Sequence, residues 1–311
     1  MIALDRPLVL LAVLVIEAAV GYPQWLFRVA RHPVVWIAWP ITMLERRWNT
    51  GGAQHRWLAG VALLVLLVLV AGGIGWAFTA IGDDSIIGTS AIILFGTTLL
   101  AQRSLHDHVA AVLRPLATGD LDGARRAVAN IVGRDTASLD AEGVATAAIE
   151  SLSESFCDGI VAPAFWFLIA GLPGLAVCKA INTADSMVGH RDERYRYFGW
   201  ASARADDLVN LIPARLAGFL ICVAGLGGVR VMLRDAPRHA SPNGGWPEAA
   251  MAGVLARQLG GTVTYGGELA ARALLGGGPR PDAASLRSAI VVYWRACVML
   301  WLIVGGIAWL R

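Results

Sequence analysis

Charge is scarce in this chain. Of its 311 residues only 16% are Asp, Glu, Lys or Arg, and 56% are hydrophobic; a soluble domain carries about 25% charged residues. With a mean hydropathy of +0.58, that composition excludes intrinsic disorder and argues against an ordinary soluble enzyme. Lysine is nearly absent: Lys179 is the single one among 26 basic residues. The net charge of +3 is too small to suggest nucleic-acid binding. The four cysteines (157, 178, 222 and 297) form no CxxC pair, and three lie in apolar segments. They read as small buried hydrophobes, not as a disulfide framework or a zinc site. The chain has no GxxxxGK[ST] loop, no GxGxxG after a strand, no HExxH and no GxSxG. Its six histidines show no metal spacing, and neither a repeat nor a low-complexity tract is present. The apolar run after Met1–Arg6 exceeds signal-peptide length, so no cleaved leader is expected.

What is present is long apolar runs, which point to a polytopic membrane protein of about five to seven helices. Pro7 to Phe27 is apolar except for Glu17. Arg28 to Arg56 is basic and encloses Val34 to Leu44, a patch suited to the interface. Trp57 to Ile81 has no charge and reaches roughly 37 Å at 1.5 Å per residue. Asp83 and Asp84 make an acidic turn, and Ser85 to Gln102 returns. The positive-inside rule puts 28–56 and the segment after 102 in the cytoplasm and 82–85 outside. The expected organisation is a single domain: transmembrane helices in 7–102, a cytoplasmic helical insert over 103–158, apolar helices with a polar catalytic segment over 159–229, a cytoplasmic loop region over 230–287, and a final span at 288–310. In the insert, helices are expected near 103–117, 120–132 and 139–158, with Asp120 capping the second and Ser138 the third. Gly171-Leu-Pro173-Gly174 breaks the run 159–178. The run therefore either crosses fully or forms a re-entrant hairpin buried against protein, and the hairpin keeps 179–207 on the same side as the insert. The fold class is all-α: an integral membrane helical bundle with cytoplasmic helical insertions and a re-entrant hairpin.

Polar residues near these runs are candidates for chemistry. Glu150, Glu154 and Asp158 stand at i, i+4 and i+8 near a helix C-terminus. Like charges and the macrodipole both oppose that arrangement, so either a compensating cation, Mg²⁺ or arginine, or a solvated acidic face is expected. Lys179 suits a phosphate, and Asn182 and Asp185 at i, i+3 present two oxygens of the kind Mg²⁺ takes; a chance lysine and an Asx turn are the plainer readings. Asp206 or Asp207 can share a helix face with Asn210. Arg215 lies inside an apolar segment, where a charge is costly, and pairs either with a ligand or with Asp207 or Glu17. Ser241-Pro242-Asn243-Gly244-Gly245-Trp246-Pro247 is turn-rich, with a helix opening at Pro247. His106 and His108, at i, i+2, read as surface residues.

Taken together these blocks resemble a known family. Glu150-Ser-Leu-Ser-Glu154-Ser-Phe-Cys-Asp158-Gly159, Lys179-Ala-Ile-Asn182-Thr183-Ala-Asp185-Ser186-Met187-Val188-Gly189, Phe198-Gly199 with Ala203-Arg204-Ala-Asp206-Asp207 and Pro213-Ala-Arg215, and Ser241-Pro242-Asn243 through Gly253 follow its motif order. Gly133-Arg134-Asp135-Thr136 and His32-Pro33 also fit. The family is the CobD/CbiB membrane proteins of cobalamin biosynthesis, the adenosylcobinamide-phosphate synthases. Glu17 stands in place of an Asp, Tyr22-Pro23 in place of Asp-Pro, Ser155 in place of an Asn and Cys178 in place of a Tyr.

The resemblance implies ATP-dependent amide ligation between adenosylcobyric acid and aminopropanol phosphate, or free aminopropanol, at the cytoplasmic face of the bacterial inner membrane. The implied cofactors are ATP and Mg²⁺. The implied partners are the corrinoid, the lipid membrane, no nucleic acid, and a second copy or other cobalamin-pathway enzymes. Glu154, Asp158, Asp185, Asp206 and Asp207 are expected as Mg²⁺ ligands. Lys179, Asn182, Arg204, Arg215, Ser241 and Asn243 are expected on ATP. Glu150, Glu154, Lys179 and Asp207 are expected in catalysis, with Glu150 as general base. Trp166, Trp200 and Trp246 are expected to line the corrinoid groove. A non-catalytic AmpE-like membrane sensor and a transporter are the alternatives.

Overall fold

The computed structural model describes residues 5–23, 33–82, 85–190, 192–265 and 267–310. The expected acidic turn at Asp83–Asp84, His32, and the end of the first expected span (24–27) lie outside them. The protein is mostly helical, 74%, and divides into two compact units. Unit 1 comprises Met1–Ala101, Ala162–Asn210 and Val304–Arg311; unit 2 comprises Gln102–Val161 and Leu211–Ile303. By length and composition, Ala53–Gly82, Ile86–Ala117, Ala141–Val188 and Ala283–Trp309 are apolar enough to cross a membrane.

In unit 1, α1 (Arg6–Val20) stops before the expected Phe27. Gly21 takes φ 63° and its N–H bonds the Glu17 carbonyl, a glycine stop. Then follow α2 (Pro33–Trp48), α3 (Ala53–Gly82), α4 (Ile86–Thr97), α8 (Ala162–Val188) and α9 (Trp200–Val209). Ile41, Leu44, Leu63, Leu67, Ala184, Val188 and Phe198 form a core. Glycine permits the closest approaches: a Cβ on Gly75 would sit 2.6 Å from the Pro173 Cα, and one on Gly60 1.9 Å from the Phe198 carbonyl oxygen.

Helix α8 is broken at Gly171 (φ 65°, ψ −154°). A Cβ on Gly174 would lie 2.4 Å from the carbonyl oxygen of Trp166. Residues eight apart in a straight helix are separated by about 12 Å, so the chain folds back on itself. A backbone reversal of this kind is what a re-entrant hairpin needs. At the break Arg6 donates to the Ile169 carbonyl (3.1 Å), and Trp166 Nε1, on the arm before it, donates to the Val209 carbonyl of α9 (3.0 Å). Helices α9 and α10 (Leu211–Ala224) are long and apolar enough to cross a membrane only when taken together. Arg204, Asp206 and Asp207 within ten residues keep α9 itself outside the spanning segments.

Unit 2 contains α5 (Gln102–Ala117), α6 (Leu121–Val128), α7 (Ala141–Phe156), a π-turn (Cys157–Val161), α10, α11 (Val229–Asp235), α12 (Gly245–Leu255) and most of α13 (Ala283–Trp309). The three expected insert helices are present. Asp120 caps α6 through the Gly123 N–H (2.8 Å). The cap of α7 is Asp140, on the Gly143 N–H (2.6 Å), and not Ser138. Asp282 accepts from the N–H and hydroxyl of Ser285, which starts α13 five residues before the expected 288. Tyr293 donates to the Gln102 carbonyl, Trp301 to the Gln102 side chain and Trp294 to His106 Nδ1. That last bond corrects the surface reading of His106, which is half-buried. All four cysteines are buried.

The region 230–287 is not a loop. Besides α11 and α12 it carries an antiparallel hairpin, β1 (Gln258–Tyr265) and β2 (Glu268–Gly276), an addition to the all-α expectation. Thr262-Val263-Thr264-Tyr265 before a Gly-Gly pair is a strand-and-turn pattern. Leu269 to Leu275 is rich in helix formers, and pairing with β1 overrides that propensity.

Candidate functional site

The polar residues singled out from sequence fall into two clusters, one in each unit.

In unit 1, α8 presents Lys179, Asn182 and Asp185 three residues apart, along one face. Helix α9 contributes Arg204, Asp206 and Asp207. Asn210 donates to Asp206 Oδ2 at 2.9 Å, and Asn182 reaches Asp206 Oδ1 at 3.5 Å. Arg204 pairs with Asp207 at 2.9 Å. Burial, and next the charge of Asp185, push the Asp206 carboxyl up to about 7. Asn210 is itself buried, and its Oδ1 has no hydrogen-bond partner among the described residues. Two carboxylates and two carboxamides make an oxygen-rich cluster, one of whose carboxamide oxygens, Asn210 Oδ1, is the orphaned acceptor. Hard oxygen donors of this kind suit Mg²⁺, which takes one or two carboxylates and completes its shell with water and phosphate. Among the described residues no group of three His, Cys, Asp or Glu is arranged to hold a metal alone.

In unit 2, Glu150 is the hub. It is 2% exposed and accepts from Arg134, from Arg272 NH1 (2.8 Å) and from the Gly260 N–H (2.7 Å). Gly260 has φ 83° and sits at the register irregularity of the hairpin, between Leu259 and Gly261. The bulge frees its N–H for Glu150. The neighbouring turn is tied down as well: Asp135 N–H bonds the Thr264 carbonyl (2.8 Å), and Gly267 N–H bonds Asp135 (2.9 Å). Arg272 also donates to Glu248, at 3.1 Å, and approaches His239 Nε2 at 3.1 Å. Burial, then the charge of Glu150, push the Glu248 carboxyl well above the usual carboxylate range. Burial, then Arg272, hold the His239 imidazole below its ordinary value, so it stays neutral at pH 7.

Glu154 is exposed and faces this cluster: a Cβ on Gly244 would stand 3.6 Å from its Oε1. Asp158 is half-buried on the π-turn that follows, a feature frequent at functional sites. Ser241 uses its hydroxyl within its own turn, accepting from the Asn243 and Gly244 N–H groups at 3.1 Å. Arg215 donates to Asn243 (3.3 Å) and to the Leu211 carbonyl, and lies 4.7 Å over the Trp246 ring.

Unit 1 thus brings together Asn182, Asp185 and Asp206, and holds Arg204 with Asp207. Unit 2 brings together Glu150 and Glu154, and Arg215 with Asn243. Asp158 belongs to unit 2, while Asp185, Asp206 and Asp207 belong to unit 1. Of the expected corrinoid tryptophans, Trp166 spends its N–H on the Val209 carbonyl of α9, Trp200 is exposed and Trp246 carries Arg215. Sequence reasoning missed Glu248, His239 and Arg272. Arg272 lies in a segment that reads as a helix, and Glu248 carries no spacing signal.

The family model described as CobD/Cbib protein matches residues 9–293. The chain is 48% identical to the cobalamin biosynthesis protein CobD of Rhodobacter capsulatus, over 94% of both chains. It is 44% identical to the same-named protein of Sinorhizobium fredii, again over 94% of both, and 43% identical to that of Geobacter metallireducens, over 94% of both. No solved structure matches. The motif blocks, the broken apolar helix and a family match spanning nearly the whole chain agree: this chain belongs to the CobD/Cbib protein family.

Proposed function

We propose that the protein joins a carboxylate of adenosylcobyric acid to the amine of aminopropanol phosphate, consuming ATP, to give adenosylcobinamide phosphate. Family membership, with curated relatives named for cobalamin biosynthesis, supports a role in that pathway. The apolar helices support a membrane location. An inner-membrane address with a cytoplasmic active face is part of the proposal, as is assembly with a second copy or with other enzymes of the pathway.

The observation that carries the chemistry is the Asp185–Asp206 pair beside the orphaned Asn210 oxygen. A carboxylate is a poor electrophile. Phosphoryl transfer from ATP converts it to an acyl phosphate with ADP leaving; the amine then attacks the acyl carbon and inorganic phosphate departs with the C–O bond. Both steps gather negative charge, and positioned cations stabilise them. Asp185, Asp206 and the Asn210 oxygen would hold Mg²⁺, which when bound neutralises phosphate charge. Lys179 and Arg204 are assigned to phosphate oxygens, and Asp207 orients Arg204 through its ion pair.

In unit 2, Glu150 already accepts three charge-assisted or backbone bonds, which occupy its carboxylate oxygens. We assign it to anchoring Arg134, Arg272 and the hairpin. Glu154 and Asp158 remain proposed cation ligands, and Arg215, Ser241 and Asn243 a proposed substrate-binding turn. The test is ligation by purified protein in nanodiscs. Adenosylcobinamide phosphate is expected to form together with ADP, and Asp206→Asn to reduce it at least about 100-fold. A wild-type protein that forms no product, in a preparation that is folded, would refute the reading.

A further inference from the structure

Arg295 sits near the middle of α13 and is the only Asp, Glu, Lys or Arg between Arg287 and Arg311. Its helix is one of those long and apolar enough to cross a membrane. It is exposed, and among the described residues it has no hydrogen-bond or carboxylate partner. An arginine at membrane depth is costly, so a partner is expected for it.

The residue lines a groove of about 650 Å³ between α10 and α13, within unit 2. Of the nine residues around the groove only Arg295 is charged. Val223 and Leu226 belong to one wall, and Ile290, Trp294 and Val298 to the other. Both walls are fixed. Trp294 spends its N–H on His106 Nδ1 (2.9 Å), which leaves its apolar ring for the groove. Helix α10 is closed by bonds from the Leu226 N–H to the Val223 carbonyl (3.1 Å) and from the Gly227 N–H to the Cys222 carbonyl (2.9 Å). Leu226 takes φ 57°, a conformation that glycine adopts freely and leucine only at a steric cost. Its side chain is nonetheless 90% exposed. The chain thus keeps an apolar side chain on the groove wall against its backbone preference.

The position of Arg295 along α13 says what the partner is. The axial distance back to Arg287 is about 12 Å. Helical side chains lean toward the N-terminus of their helix, and a long arginine snorkels the same way. The guanidinium therefore approaches the headgroups of the leaflet at the N-terminal end of α13. Protein offers no anion at this depth. The apolar runs 57–81, 86–100, 159–178, 211–224 and 288–309 contain no Asp or Glu, and Glu17 of α1 is buried. A second copy of the chain would bring only another Arg295 and no exposed carboxylate. A zwitterionic headgroup carries its own cation, so an anionic one compensates the arginine better.

We infer that the groove between α10 and α13 binds one phospholipid with an anionic headgroup. Its acyl chain lies along the apolar walls and its phosphate pairs with Arg295. Val291, Arg295 and Val298 are exposed, which suits a ligand that enters sideways from the bilayer. The site is independent of the ligation chemistry.

The test uses the full-length protein in mild detergent with an equimolar mixture of phosphatidylglycerol and phosphatidylcholine, and reads bound lipid by native mass spectrometry. Wild type is expected to keep one phosphatidylglycerol and to prefer it at least about fivefold, the effect of roughly one cation on an anionic lipid. Arg295→Gln is expected to lose that preference. Val298→Trp fills the groove, leaves Arg295 in place and is expected to lose the bound lipid. Arg287→Gln removes the same charge outside the groove and is expected to behave as wild type. Circular dichroism is expected to be unchanged in all three, and should Arg295→Gln not fold, Val298→Trp decides. Equal retention of the two lipids by wild type, retention untouched by Val298→Trp, or an equal loss in Arg287→Gln and Arg295→Gln overturns the site. A lipid-free wild-type dimer that Arg295→Gln dissociates also overturns it, and gives the face to a second copy.

Discussion

Gly260 donates its backbone N–H to Glu150 Oε1 at 2.7 Å, across 110 residues of sequence. One carboxylate thereby fixes a β-bulge, and the same carboxylate holds Arg134 and Arg272. Glu150→Gln keeps the shape and removes the charge, leaving two guanidiniums around a neutral amide. Breaking a buried pair this way costs about 3–5 kcal/mol. The expected result is a clearly lower melting temperature, with faster hydrogen exchange in the hairpin 258–276. Unchanged exchange in the hairpin would refute the anchoring role.

Asp206 predicts two opposite pH effects. Its folded-state value, about 7, lies above the ordinary 3.8. The stability it contributes is full below about pH 4 and is lost as pH rises through 7. Without divalent cation, the melting temperature is expected to fall between pH 6 and 8, and Mg²⁺ to restore it most at the high end. Asp206→Asn is expected to abolish both trends. A wild-type melting temperature that is flat over this range, with and without Mg²⁺, would contradict the assignment.

Asp235 behaves in the other direction. It is fully buried; Arg234 holds its carboxyl down to about 2, and the Gly276 N–H and Arg238 add to the effect. Its stabilisation is present above about pH 4 and lost as pH falls toward 2, on the order of 2 kcal/mol. Asp235→Ala is expected to loosen the joint between α11 and β2. Equal melting temperatures for wild type and variant at pH 7 would remove that role.

Gly60→Ala tests the packing of α3 against the loop before α9. The added methyl would meet the Phe198 carbonyl oxygen, and overpacking of this kind costs about 1–3 kcal/mol. Proteolysis within 192–199 is expected to accelerate. A variant as resistant as wild type would show that the approach is not tight.

Much of this architecture was legible before any coordinates. The uncharged run from Trp57 sits inside α3, and Asp120 caps its helix, because apolar length and capping chemistry act locally. The break at Gly171 was visible because only glycine readily takes that backbone conformation; the reversal of the chain there rests on the close packing of Gly174 on Trp166. The hairpin 258–276 was hidden because Leu269 to Leu275 favours helix, and only pairing with β1 decides otherwise. The acidic residues of α8 and α9 could be nominated from type and spacing. Glu248, His239 and Arg272 could not, since their role comes from long-range contacts around Glu150. At Glu150 the stripe pointed to a compensating cation, Mg²⁺ or arginine, and Arg134 and Arg272 fill that place; which arginines they would be could not be read from spacing.

The central claim is that the Asp185–Asp206 pair serves an ATP-driven amide ligation. The most direct measurement is product formation by the purified protein in nanodiscs with adenosylcobyric acid, aminopropanol phosphate, ATP and Mg²⁺. Adenosylcobinamide phosphate should appear with one ADP per amide formed, and vanish in a correctly folded Asp206→Asn protein. Full turnover by that variant would contradict the claim.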